Sequence, residues 1–180
     1  MEIYTIGHSS HKIDDFIDIL KQHDIGIVAD VRTYPGSKRY PQYNQVTLAR
    51  VLKSHGIEYY HFRGLGGYRE PEPNSPNTAL DDEAFRGYAD HMGTVEFELE
   101  VKKLKALAEN SPTAIMCAEA KPAQCHRSLL SDALVLGGDK VKHIMSSGEL
   151  KPHAVSKLAH YDENVVIYKS DTGEQLSLFE

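Results

Sequence analysis

TAIMCAEAKPAQCHRSLLSDALVL, residues 113–136, reads as a strand, a polar turn and a helix in succession. Thr113–Met116 is a short apolar run entered from Pro112, and Leu129, Leu130, Ala133 and Leu134 recur at helical spacing between Ser128 and Leu136. The turn holds both cysteines of the chain, Cys117 and Cys125, with Glu119, His126 and Arg127 within reach of them. A strand passing to a helix through a polar turn is the building unit of a parallel α/β sheet. Such a turn presents free backbone N–H groups and the positive end of a helix dipole. Cys125 at the helix mouth is therefore expected to lean toward thiolate, and an anion to be held nearby.

The same unit recurs on either side. Glu2–Ile6 is apolar enough for a strand and ends at Gly7-His8-Ser9; Ile13, Phe16, Ile17 and Leu20 then follow a helical period, and Ile25–Val31 is a second strand carrying Asp30 and leading to Arg32. Asn44–Ser54 predicts a helix, and Ile57–Phe62 a third strand opening into Gly64-Leu65-Gly66-Gly67-Tyr68-Arg69. After a proline- and asparagine-rich loop at 71–77, Asp81 can cap a helix to about Met92 and Thr94 another through Ala108. Lys140–Met145 is a fifth strand. The pattern predicts one three-layer α/β domain over 1–150 with a mostly parallel, Rossmann-like sheet of about five strands. Residues 151–180 are expected to form an extension packed on it.

In such sheets ligands sit at the carboxyl ends of the strands. His8 and Ser9 follow the first strand, Asp30 and Arg32 end the second, Arg69 follows the third, Cys117 and Glu119 end the fourth, and His143 lies in the fifth. Residues scattered in sequence would thus meet at one edge.

Length and composition set limits. A chain of 180 residues buries about 70% of the surface its unfolded form exposes, so it needs no disulfide or metal to hold its core. Two cysteines, no leader-like start and no apolar run near 18 residues predict a cytoplasmic protein with reduced thiols and no membrane partner. A net charge of −6 argues against a general nucleic-acid coat protein. Between Arg32 and Arg69, however, seven basic residues face the single acid Glu58, and such a local excess predicts an anionic ligand.

Each candidate has a plain alternative. Cysteines in apolar strands are often small buried hydrophobes, which is the competing reading of Cys117. Cys125 stands in a turn beside His126 and Arg127, which favours reactivity. Glu119 can serve as a general base or pair with Arg32 or Arg127, while Asp30 and Arg32, on one strand face by parity, can bind a phosphorylated or hydroxylated ligand or merely brace each other. His8 suits an anion site at a helix mouth that Ser9 or Ser10 could cap. No metal is expected, because Cys-x7-Cys-His lacks the short spacing of firm zinc motifs. No cofactor is expected either, since Leu65-Gly66-Gly67-Tyr68 has neither phosphate-loop nor dinucleotide-binding spacing.

Taken together, TIGHS at Thr5–Ser9, DVR at Asp30–Arg32, LGG with Arg69, MCAE at Met116–Glu119 and CHR at Cys125–Arg127 resemble the bacterial and archaeal proteins grouped as domain of unknown function 488. The likeness runs from residue 3 to about residue 153. It implies the fold and the location of the site, and no reaction.

The tail adds an address. Gln175-Leu176-Ser177-Leu178-Phe179 is similar to the peptides by which bacterial replication and repair proteins dock on the sliding clamp, with Gln175 making polar contacts and Leu176, Leu178 and Phe179 filling an apolar groove. Its alternative is a terminal hairpin of Val165–Lys169 and Gln175–Phe179 turning at Asp171-Thr172-Gly173. The leading expectation is a hydrolase- or lyase-type enzyme acting on a nucleotide or nucleic-acid component, in DNA repair or replication. Cys125 or Glu119 would be nucleophile or base, His8 and His126 would move protons, and Arg32, Arg69 and Arg127 would hold the anion. The alternatives are thiol redox or sulfur transfer through Cys117 and Cys125, and a non-catalytic nucleotide or nucleic-acid binding module.

Overall fold

The computed structural model describes residues 1–162 and 164–170. Strands and helices alternate along the chain as β1 (Glu2–Gly7), α1 (Ile13–Gln22), β2 (Ile27–Asp30), α2 (Gln45–Ser54), β3 (Glu58–His61), α3 (Glu83–Met92), α4 (Val95–Ala108), β4 (Thr113–Cys117), α5 (Arg127–Leu136) and β5 (Lys140–Ile144). Two features follow that periodicity did not predict. Leu150–Pro152 forms β6, and Ala159–Asp162 (β7) pairs with Val165–Tyr168 (β8) in an antiparallel hairpin.

The main sheet has six strands in the order β3-β2-β4-β1-β5-β6, with β6 antiparallel at the edge and the rest parallel. β4 lies between β2 and β1, so the order differs from the 3-2-1-4-5-6 of dinucleotide-binding sheets. Its register aligns the functional ends: Gly7 is opposite Cys117 and Asp30 opposite Met116. The alignment persists past the strands, where His8 N–H donates to the Cys117 carbonyl (2.9 Å) and Val31 N–H to the Met116 carbonyl (3.0 Å).

Alternation along the strands builds a core on each face. Ile6, Val28, Ala114 and Met116 meet Phe16, Ile17 and Leu20 of α1 and Leu48 and Leu52 of α2. Ile3, Ala29, Ile115 and Cys117 face α3–α5. Each fully buried Leu, Ile or Phe contributes about 1.5–3 kcal/mol relative to exposure. The caps are local. Asp82, one residue later than Asp81, accepts from Phe85 N–H (3.0 Å) at α3, and Thr94 accepts from Phe97 N–H (3.2 Å) at α4. At α1 the cap position is Lys12, without a side-chain cap, so neither Ser9 nor Ser10 caps that helix. Ser9 instead adopts a left-handed φ of 46° that turns the chain away from the sheet edge.

β8 docks on the α3–α5 face. Tyr168 N–H donates to Asn77 Oδ1 (2.9 Å) and its hydroxyl to Asp132 Oδ2 (2.8 Å). Val165–Tyr168 pairs with the preceding strand β7; the other half of the expected terminal hairpin, Asp171–Gly173 and Gln175–Phe179, lies outside the described residues. Among the described residues no helix is long and apolar enough to cross a membrane.

Candidate functional site

Cys117 closes β4, the strand between β1 and β2, and therefore sits where three strand ends converge. A short 3-10 turn at Pro122–Gln124 brings the chain back so that Cys125 and His126 return to Cys117 at the mouth of α5. One ligand atom from each of Cys117, Cys125 and His126 falls within 4.8 Å of the others. Both thiols are free and buried.

The thiols share a charge unequally. Cys117 is pushed well below the ordinary thiol range, chiefly because the Cys125 S–H donates to it; burial opposes this, while His126 and Arg127 reinforce it. Cys125 is correspondingly raised, because its proton is held by Cys117 and because it is buried. The expectation that Cys125 leans toward thiolate is met by these shifts in the opposite direction, with the neighbouring sulfur favouring the charge on Cys117. The helix mouth does act on Cys125, since Arg127 N–H points to its sulfur at 3.5 Å, but the stronger partner is the neighbouring sulfur. His126 Nδ1 is 3.7 Å from Cys125 Sγ, and its Nε2 is 3.2 Å from the Val31 carbonyl. That carbonyl can only accept, so Nε2 carries a hydrogen and Nδ1 is the ring nitrogen that faces the thiols.

Arg127 supplies the counter-charge. Its side chain is 1% exposed, and Nη2 donates to the Glu119 carbonyl at 2.9 Å. Nε and Nη1 are buried without a hydrogen-bond partner among the described residues. A buried guanidinium with unused donors is costly unless an anion answers it. Gly7 makes room for it: a Cβ there would stand 2.9 Å from Nη1 and 1.8 Å from the Glu119 carbonyl oxygen.

The other cations are occupied. Arg32 gives Nε and Nη2 to Asp30 at 2.9 and 2.6 Å, and Nη2 also reaches the Tyr43 carbonyl at 2.9 Å. Burial works against the Arg32 charge, and the Asp30 carboxylate overcomes it, so its pKa is raised. Tyr59 donates to the second Asp30 oxygen at 2.6 Å, and Asp30 is fully buried. His8 stacks on Tyr43 with ring centroids 4.1 Å apart, and its Nε2 lies 3.3 Å from Arg32 Nη1. Burial and the Arg32 charge lower its pKa to about 4, so it is neutral at pH 7 with both nitrogens engaged. Arg69 donates to the Gly66 and Gly64 carbonyls at 3.3 and 3.1 Å and approaches Glu96 at 3.8 Å, which makes it a brace of the glycine turn. Of the three arginines read as anion holders, Arg127 alone has buried donors left without a partner among the described residues.

Glu119 lies beyond the end of β4 and is exposed, so the shared parity with Cys117 does not carry over; its carbonyl, not its carboxylate, contacts Arg127. Ser9 contributes its carbonyl to His8 Nδ1 at 3.0 Å. Sequence reasoning missed Tyr43 and Tyr59, which fix His8 and Asp30. It also missed a buried chain in which Thr5 Oγ1, His143, His153, Asp132 and Tyr168 follow one another at 2.7, 2.9, 2.7 and 2.8 Å. His143 is lowered to about 4 by burial, by His153 and by Arg127. His143, His153, Asp132 and Tyr168 line a cleft of about 570 Å³ beside the Pro122–Ala123 turn. The thiols do not line it.

The thiol and imidazole donors could together reach a soft divalent ion, which the sequence spacing had been read against. Charge counts the other way. One thiolate is already balanced by Arg127, whereas two thiolates on a dication leave that guanidinium uncompensated.

This geometry defines a class: α/β proteins with a thiol–arginine centre at the carboxyl end of a mostly parallel sheet. The chain belongs to the family described as domain of unknown function DUF488, which matches residues 12–134. The match spans α1 to most of α5, including Asp30, Arg32, Cys117 and Cys125–Arg127, while His8 precedes it. No curated protein and no solved structure matches the chain.

Proposed function

We propose that the protein is an enzyme whose nucleophile is the Cys117 thiolate, acting on an anionic substrate of the nucleotide or nucleic-acid-component class. The observation that carries this reading is the buried Arg127 guanidinium, with Nε and Nη1 unpaired among the described residues, near the Cys117 and Cys125 thiols, where that cation and the neighbouring S–H favour a Cys117 thiolate. The guanidinium stabilises the resting thiolate and offers its free donors to a phosphate or carboxylate.

The chemistry follows from the shared proton. Cys117 sulfur attacks an electrophilic carbon, forming an S–C bond as the bond to the leaving group breaks. The charge that held the Cys125 proton is then consumed. Cys125 loses the largest cause of its raised pKa, with only burial left, and gives its proton to the leaving group. Water then cleaves the S–C bond with His126 Nδ1 taking its proton and passing it to the Cys125 thiolate, which restores the Cys117 thiolate beside a protonated Cys125 and gives a net hydrolysis. His8, Asp30 and Arg32 are positioning residues in this scheme, because each spends its polar atoms on the others.

The test is covalent trapping. The protein is incubated with a panel of nucleotides and short oligonucleotides, quenched in acid and digested. The expected result is a mass increase on the peptide bearing Cys117, absent in Cys117→Ser. Turnover that survives in Cys117→Ser would sink the proposal.

A further inference from the structure

Two aromatic side chains stand out at the rim of this centre. Tyr34, in the loop after β2, is 69% exposed, and Tyr68, in the loop after β3, is 77% exposed. A tyrosine buries more than 150 Å² when it packs, so two rings left in water on adjacent loops are unused contact surface. The loops are fastened together: Tyr68 N–H donates to Thr33 Oγ1 at 3.2 Å, and a Cβ on Gly66 would meet that oxygen at 2.4 Å. They are also fastened to the thiol centre, because Gly67 packs on the His126 ring so closely that a Cβ would fall 2.2 Å from Nδ1.

Cations accompany the Tyr34 loop. The Arg63 guanidinium lies over Tyr34 at 6.0 Å from the ring centroid, and Arg39 lies over Tyr40 at 5.3 Å. Lys38, Arg39 and Arg63 are exposed. Nearby acids are Glu70, exposed two residues after Tyr68, Glu96, which faces Arg69, and Glu100, which packs against Gly64 and pairs with Lys103. This is the part of the chain where basic residues outnumber acids although the whole carries −6.

From this juxtaposition we infer that the face formed by Tyr34, Tyr68, Arg63, Lys38 and Arg39 is a docking platform for single-stranded nucleic acid, with bases stacked on the two tyrosines and phosphates on the three cations. Exposed aromatic faces interleaved with cations are what unpaired bases and their backbone require. A duplex hides its base faces and could use only the cations. A membrane or an apolar protein surface would need contiguous apolar area, and here the Arg63 guanidinium lies against the Tyr34 ring. The platform deepens the proposed function by naming the form of the substrate, and it rests on that reading only for the reaction, since binding stands by itself. The surplus negative charge elsewhere confines the strand to this face.

Fluorescence anisotropy with labelled 12-mer oligo-dT and oligo-U tests it, the two probes separating DNA from RNA. The expected result is binding to at least one single strand, with weaker binding to a duplex. Each of Tyr34→Ala and Tyr68→Ala should weaken it about tenfold or more, the Phe variants should retain it, and the thermal midpoints should be unchanged. Affinity should fall with salt with a logarithmic slope of about −2 for three phosphate contacts, shallower by about 0.7 in Arg63→Gln. Absence of single-strand binding, equal binding by the double alanine variant, or preference for duplex would overturn the inference. The binding and trapping assays on the unsubstituted protein separate the two proposals: single-strand binding without a Cys117 adduct leaves the platform standing and removes the thiolate mechanism, and an adduct without strand binding does the reverse.

Discussion

Asp30→Asn is the substitution whose consequence the structure defines most sharply. The carboxylate is fully buried and takes four hydrogen bonds: Arg32 Nε at 2.9 Å, Arg32 Nη2 at 2.6 Å, Arg32 N–H at 3.0 Å and the Tyr59 hydroxyl at 2.6 Å. Asparagine keeps the shape and removes the charge, which leaves the Arg32 guanidinium buried without its counter-ion. Breaking one side of such a pair costs about 3–5 kcal/mol. For a chain of this size each kcal/mol moves the thermal midpoint by roughly 2–4 °C, so a fall of roughly 6–20 °C is expected. Urea unfolding followed by circular dichroism should show a lower midpoint at unchanged slope. The paired variant Asp30→Asn with Arg32→Met isolates the cause. Removing the stranded cation should restore most of the loss, because an apolar replacement of a buried ion pair is often neutral. A single variant costing under about 1 kcal/mol, or a double variant no more stable than the single, would refute the claim that Asp30 exists to hold Arg32.

Cys125→Ala removes the S–H that holds the Cys117 charge, so the thiolate absorbance near 240 nm should appear at higher pH than in the wild type, and Cys117→Ala should let Cys125 ionise at lower pH; unchanged titrations would show that the thiols do not share a proton. His8 and His143 are both lowered to about 4 in the folded chain. The unfolded chain therefore binds more protons between about pH 6.5 and 4, and stability that is full above pH 6.5 should decline across that window by on the order of 2–3 kcal/mol per histidine. Flat urea midpoints between pH 7.5 and 4.5 would contradict this. Deleting Gln175–Glu180 should abolish capture by a purified bacterial sliding clamp, with no change in thermal midpoint, if the terminal peptide is a docking segment; a large drop in midpoint would assign it to the fold instead.

Much of the architecture was legible because strands and helices alternate with clean periods from Glu2 to Met145, and the rule that ligands sit at carboxyl strand ends gathered His8, Asp30, Arg32 and Cys117 correctly at one edge. What periodicity cannot encode is strand order, so the insertion of β4 between β1 and β2 was not foreseen. β6 and β7 were missed because Leu150–Pro152 and Ala159–Asp162 are short and mostly polar. Partner choice was the larger gap. Parity put Asp30 and Arg32 on one face without telling whether they serve a ligand or each other, and the stack of His8 on Tyr43 joins residues from different loops. The Thr5–His143–His153–Asp132–Tyr168 chain draws on β1, β5, α5, β8 and the segment after β6, a convergence with no local signature.

The placement of β4 also bears on how the thiol ages. All five of its residues are buried, and it is hydrogen-bonded to a parallel neighbour on each side, so it has no route to local fraying. Segments held in this way exchange their amide hydrogens only through global opening. The Cys117 amide should therefore exchange only with whole-molecule opening, so sulfinic or sulfonic acid formed at its sulfur would accumulate on a backbone that has not first loosened.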